Sequence, residues 1–280
     1  MKIADATRSA GRKNPLRRIT GLVAGGYANL SPLRRVASVV LALVIWEFAA
    51  RLIDNPVFFV SLTGIVTRAA ELWHSGVLQV HITTSLAELA TGLLLGIVVG
   101  ILVSIFMASS VVIEDFLDPW VSLIYSMPII ALAPLFVLWF GIGMTSKVAI
   151  VFLMSVFPVL INSHVGLKTA DKDYIEAARS FGCSPAQIFL KVRFPSAVPY
   201  IVSGIRNAIS RGLIGVVVAE FFGSQAGLGF LIQYSAQTFD TKALFVGVFI
   251  LAFGGIGAVE LLRWIEHWIA PWRKEDDARS

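Results

Sequence analysis

Apolar residues gather into six runs along this chain: Val36 to Ile53, Thr84 to Ala108, Leu117 to Phe140, Val148 to about Leu167, about Ala197 to Phe222, and Ala243 to Trp264. Each approaches the roughly 20 apolar residues that the hydrocarbon core of a bilayer demands. No water is available there to bond exposed amides, so each run predicts a helix. The expected fold class is an all-α integral membrane protein with six spans, organised as one domain over 36–267. A basic flank over 1–35 precedes it and a short tail over 268–280 follows. No internal repeat or low-complexity linker divides it.

The polar positions between the runs predict orientation, because cytoplasmic flanks collect Lys and Arg. The amino-terminal flank holds Lys2, Arg8, Arg12, Lys13, Arg17, Arg18, Arg34 and Arg35 against the single acid Asp5. The segment between the fourth and fifth runs holds Lys168, Lys172, Arg179, Lys191 and Arg193. Arg68, Lys147 and Lys242 are the bases of the outer connections. Both termini and the 168–195 loop are therefore expected inside. The acidic stretch with Glu114, Asp115 and Asp118 breaks the pattern, but acids weigh little in the rule.

Composition agrees: 56% of residues are hydrophobic and 15% charged, against roughly 25% charged in soluble domains. The net charge of +5 is concentrated in the amino-terminal flank, which suits anionic lipid headgroups better than nucleic acid. The first run exceeds the usual apolar core of a secretory signal, so it reads as an uncleaved helix. Cys183 is the only cysteine, which excludes an intrachain disulfide. Between the first two runs, Thr63 to Trp73 predicts a helix with Ile65, Val66, Ala69, Ala70, Leu72 and Trp73 on one arc, suited to the outer interface or to capping the bundle.

The 168–195 loop carries the densest pattern. Asp173 is a candidate N-cap with Glu176 at N3, and Phe181 with Gly182 closes that helix, Gly being free to adopt the left-handed cap. Ser184, Pro185 and Gln187 then write a full capping box for a second helix with Ile188, Phe189 and Val192 as its apolar stripe. Pro195 marks its end or the start of the fifth span. Glu176-Ala177-Ala178, three residues, Gly182, nine residues, and Val192-Arg193-Phe194-Pro195 together resemble the cytoplasmic loop motif of permease subunits in binding-protein-dependent ABC importers. Val192 and Phe194 stand where that family usually has Ile and Leu.

Two further stretches, Met127 to Gly143 and Gly215 to Gly229, resemble the aliphatic sulfonate, taurine and nitrate branch. The resemblance covers about residues 35 to 270 and implies a type I importer fold, a homodimer, two ATPase subunits and an extracytoplasmic binding protein in a bacterial inner membrane. It implies that Glu176, Ala177, Ala178, Gly182, Ile188 and Pro195 belong to the ATPase-coupling knob. Similar permeases serve cyanate, pyrimidine precursors and aromatic acids.

Gly92, Gly96 and Gly100 recur one helical turn apart and predict close helix packing. Candidates for the substrate path are Arg211, Asn162, Glu220, Pro128 and Pro134: a guanidinium at membrane depth attracts an anion, and prolines free carbonyls and bend helices. Against this stands pairing of Arg211 with an acid such as Glu88. Glu47, Glu220 and Glu260 suit structural pairing or interfacial exposure. His74, His81, His164 and His267 lack metal spacing, so no metal site is expected. The run Gly141 to Lys147 lacks the Gly-Lys-Ser/Thr ending of a phosphate loop. The chain is thus expected to bind no cofactor and to be no enzyme, with ATP and Mg used by the partner ATPase. An ion-driven secondary transporter would share the spans but not require the loop, and an intramembrane enzyme would need a convergent acid, base or metal cluster.

Overall fold

The computed structural model describes residues 31–269 apart from Asp54, Pro56 and Phe58, and the regular elements among them are helical. The basic flank up to residue 30 and the tail from residue 270 lie outside the described residues, as does the side chain of His267. The chain divides into two compact units, Met1–Thr63 and Gly64–Ser280.

In the first unit, α1 (Ser31–Ile53) extends the expected first span at its amino end. Glu47 is structurally paired: it accepts from Arg51 Nη2 at 2.8 Å and from Thr63 Oγ1 at 2.8 Å. Trp46 Nε1 donates to the Val60 carbonyl at 2.9 Å while its ring stacks on Phe59, which pins the segment after α1 to the helix.

The second unit contains the rest of α2 (Leu62–His74) and everything after it. The predicted apolar arc of α2 is divided, since Ile65 and Leu72 are buried whereas Val66 and Trp73 are exposed. Arg68 on its polar side is held charged chiefly by Glu71 and also by Asp240 at 2.8 Å. That contact fastens α2 to the turn before the last helix.

The core of this unit is α3 (Val77–Ser109), α6 (Met144–Lys168) and α9 (Phe194–Gly223). The glycine ridge of α3 explains their approach. A Cβ on Gly92 would lie 2.6 Å from Val151 Cβ, one on Gly96 2.8 Å from Ser155 Cβ, and one on Gly100 2.9 Å from the Val156 carbonyl. With no side chain on this ridge, α3 lies directly against the α6 backbone.

The third run differs from a single helix over Leu117 to Phe140. It starts earlier as α4 (Val111–Ser126), breaks, makes a 3₁₀ turn over Ile129–Leu132, and continues as α5 (Ala133–Phe140), with a 77° bend between the two parts. Pro128 causes the break: it lacks an amide proton and drives Met127 to extended geometry, φ −70° and ψ 141°. Pro134 was expected to bend a helix, yet it stands in the first turn of α5, where the amide would be unpaired in any case. Among the described residues, five helices are long and apolar enough to cross a bilayer, and the bent pair makes a sixth when taken as one span. Short α10 (Leu228–Gln237), which hydropathy did not reveal, precedes α11 (Thr241–Ile269).

Candidate functional site

Between α6 and α9 the chain forms two short helices that fit the predicted knob. α7 (Lys172–Ser180) starts two residues earlier than expected: the N-cap is Asp171, not Asp173, and its carboxylate accepts from Asp173 N at 2.9 Å. Asp173 is therefore inside the first turn, and Glu176 is past N3, exposed, and free of any capping task among the described residues. The helix ends at Gly182, φ +75°, with Gly182 N donating to the Arg179 carbonyl and Cys183 N to the Ala178 carbonyl at 3.1 Å. Those two bonds are a Schellman closure, which uses the left-handed residue to satisfy terminal carbonyls.

α8 (Pro185–Ile188) opens with the predicted capping box: Ser184 N donates to Gln187 Oε1 at 2.8 Å and Gln187 N to Ser184 Oγ at 3.3 Å. A π-turn over Phe189–Arg193 joins α8 to α9 without interruption. Pro195 then lies in the first turn of α9, so it marks the start of the fifth span. Its ring excludes the normal bond to Lys191, and a wider turn just before it relieves that clash. The second knob helix and the span are thus one lever of 39 residues, Pro185–Gly223.

What the knob presents differs in part from the sequence expectation. Glu176 and Ala177 are exposed and Ala178 half-buried, but Ile188 is 7% exposed and packs inward, so it supports the knob rather than offering a contact. The exposed crest includes two aromatics that the motif did not single out, Phe181 at 88% and Tyr174 at 66%. Apolar rings that exposed beside a rigid turn suit a protein partner. At the knob's root, Glu114 of α4 accepts from Lys168 at 2.6 Å and meets His164 Nε2 at 3.1 Å, which gives the anomalous acidic turn a base from α6.

Of the path candidates, Arg211 and Pro128 come together. They line a cavity of about 220 Å³ with Tyr125, Met154, Phe157 and Pro158, at the bend between α4 and α5. Arg211 Nη2 donates to Tyr125 Oη at 3.2 Å, and the guanidinium carbon lies 5.4 Å from that ring's centroid. Pairing of Arg211 with Glu88 does not occur, because Glu88 takes Lys147 Nζ at 2.8 Å. The other arginine of α9, Arg206, pairs with Glu266 at 3.0 Å.

The remaining path candidates lie elsewhere. Asn162 Nδ2 is turned onto the Pro158 carbonyl at 2.7 Å, and Pro134 is exposed on α5 outside the cavity wall. Glu220 is 1% exposed and belongs to a buried polar lock, not to a path surface. It accepts from Ser85 Oγ at 2.5 Å and from Gly229 N, while Leu228 N donates to Ser85 Oγ at 2.7 Å and Gly227 N to His81 Nδ1 at 3.0 Å. A carboxylate buried at that depth needs such donors.

Membrane-length helices, a short helix pair between α6 and α9, and a cavity at a proline-broken span are the features of a helical membrane transport subunit. Residues 92–274 match the family described as binding-protein-dependent transport system inner membrane component, and the chain belongs to that family. It is 36% identical over 235 residues to the formylaminopyrimidine transport permease protein ThiX of Halalkalibacterium halodurans, covering 84% of this chain and 94% of that protein. It is 30% identical to the taurine transport system permease protein TauC of Escherichia coli, covering 84% of this chain and 88% of that one. The fold also resembles the MetNI methionine ABC transporter in its inward-facing form, with TM-score 0.52, 20% identity, and coverage of 66% of this chain and 96% of that chain. The protein is a multi-pass ABC importer permease, a transport subunit of a class that works with ATPase and binding-protein partners.

Proposed function

We propose that this chain is the membrane subunit of a homodimeric importer in a bacterial inner membrane, served by an extracytoplasmic binding protein and by two ATPase subunits. Each ATPase docks on the segment from Glu176 to Pro195, with the knob and both termini on the cytoplasmic side. The observation that carries the coupling role is the continuity of α8 with α9: a push on the knob moves a span whose far part lines the Arg211 cavity. The cargo is a small anion of the aliphatic sulfonate, taurine or nitrate class. Arg211 supports this, because its guanidinium faces the cavity with a phenol for a neighbour and no carboxylate against it among the described residues. A fixed cation in such a wall favours an oxyanion.

A second reading takes the cargo as a planar heteroaromatic, as in the formylaminopyrimidine permease. Tyr125 and Phe157 line the same cavity with ring centroids 6.1 Å apart, and Arg211 could stack on such a ring. Uptake into proteoliposomes holding the complete transporter separates the two. Arg211→Met keeps bulk and removes charge; loss of sulfonate or nitrate uptake with an intact complex supports the anion reading. Unchanged anion uptake by that variant would end it, and saturable pyrimidine uptake sensitive to Tyr125→Leu would establish the second.

A further inference from the structure

A second cavity, about 370 Å³, opens where the α3–α4 turn, the last turn of α6, the beginning of α7 and the π-turn before α9 meet. Ser110, Glu114, Lys168, Lys172, Ile175 and Arg193 are in its wall. Three cations thus surround it against one carboxylate. That carboxylate is committed, since Glu114 is already bridged by Lys168 and His164. Lys172 and Arg193 have no acidic partner among the described residues. They converge from two separate elements, α7 and the π-turn, on the same space.

Two cations in one cavity wall, neither in an ion pair among the described residues, favour a multivalent oxyanion there. A guanidinium offers a planar fork for two oxygens and an ammonium adds a point charge, a pairing suited to phosphate. We propose that this cavity binds a phosphate-bearing group, and that the bound group ties the root of the knob to α6 and to the α3–α4 turn. The group is either the headgroup of an anionic phospholipid or a soluble phosphate. The lipid source rests on the reading that the knob lies at the inner membrane surface, where basic residues next to the spans meet anionic headgroups. The phosphate chemistry rests on the cavity alone.

The test uses the full chain in complex with its ATPase, in nanodiscs of phosphatidylcholine with a minor share of phosphatidylglycerol, read by native mass spectrometry. The double variant Lys172→Gln with Arg193→Gln should retain about tenfold less phosphatidylglycerol than wild type. Lys172→Arg with Arg193→Lys should retain the wild-type amount, which separates lost charge from lost structure. If phosphatidylglycerol retention is equal in wild type and the Gln variant, inorganic phosphate is titrated against the complex in phosphatidylcholine alone. Saturable binding that the Gln variant loses then assigns a soluble phosphate. Equal lipid retention with no such phosphate binding overturns the proposal, as does equal loss in the charge-conserving variant. Neither arm reads transport, so a failure of the importer reading would show as absent uptake and leave these outcomes distinct.

Discussion

Ser85 on α3 donates a hydrogen bond of 2.5 Å to Glu220 on α9, across 135 positions of sequence, with both side chains buried. The same carboxylate excludes side chains from the entry to α10: a Cβ on Gly227, in the loop before it, would lie 2.3 Å from Glu220 Cδ, and one on Gly229, in its first turn, 2.8 Å from Glu220 Oε2. One acid therefore binds two long helices and fixes the composition of a loop.

Removing that acid leaves buried donors without an acceptor, at about 1–3 kcal/mol for each. Glu220→Ala should lower the melting temperature of the detergent-solubilised permease by several degrees. Gly229→Ala should do the same by steric means, with Glu220 still present. A melting curve for each variant that superimposes on wild type would show that the lock contributes nothing to stability.

Gly182 should tolerate Asn and reject Val. Its φ of +75° is accessible to Asn, whereas a β-branched residue there costs about 1–3 kcal/mol if the bend persists. Open space surrounds the position, so crowding is no part of the effect. Gly182→Val should insert normally, because the knob lies outside the spans, yet lose substrate-stimulated ATP hydrolysis; Gly182→Asn should keep most of it. Equal hydrolysis by both variants would show that the bend is dispensable.

At the α3–α6 contact the limiting factor is space. Gly96→Leu would force side-chain bulk against the Ser155 and Val156 backbone of α6, and overpacking of this kind costs about 1–3 kcal/mol or more. The yield of monodisperse permease should fall sharply, with Gly254→Leu, where nothing lies within 4 Å, as the tolerant control. Similar yields for the two would contradict the packing.

The expected topology is checked with an impermeant thiol reagent. Ser184→Cys in a Cys183→Ser background should resist external labelling in intact cells and react after lysis, as the Lys and Arg distribution requires. Labelling before lysis would invert the orientation.

The spans, the glycine ridge and the knob were legible because each rests on local rules. Hydropathy marks helices in lipid, a turn-spaced Gly series marks close approach, and Ser184 with Gln187 or Gly182 after Phe181 spells caps within four residues. What pairs with what was not legible. Glu88 and Lys147 are 59 positions apart, and Lys147 has the sequence setting of a loop cation although α6 begins at Met144 and buries it. Glu220 looked like a path residue since depth in a span was visible but the face it occupies was not. The fracture of the third run at Pro128 was foreseeable as a bend, yet its 77° angle depends on packing against α6 and α9.

The central claim is that the knob transmits force from an ATPase to the spans, and cross-linking tests it most directly. A cysteine at Phe181, 88% exposed at the knob's tip, is placed in the Cys183→Ser background and the complete transporter is treated with a short thiol-to-thiol cross-linker. The account predicts a permease–ATPase adduct and loss of substrate-stimulated ATP hydrolysis, with no adduct from a control cysteine at exposed Val66 on α2. An intact complex that gives no adduct at Phe181, or one whose hydrolysis and uptake continue unchanged after cross-linking there, would contradict it.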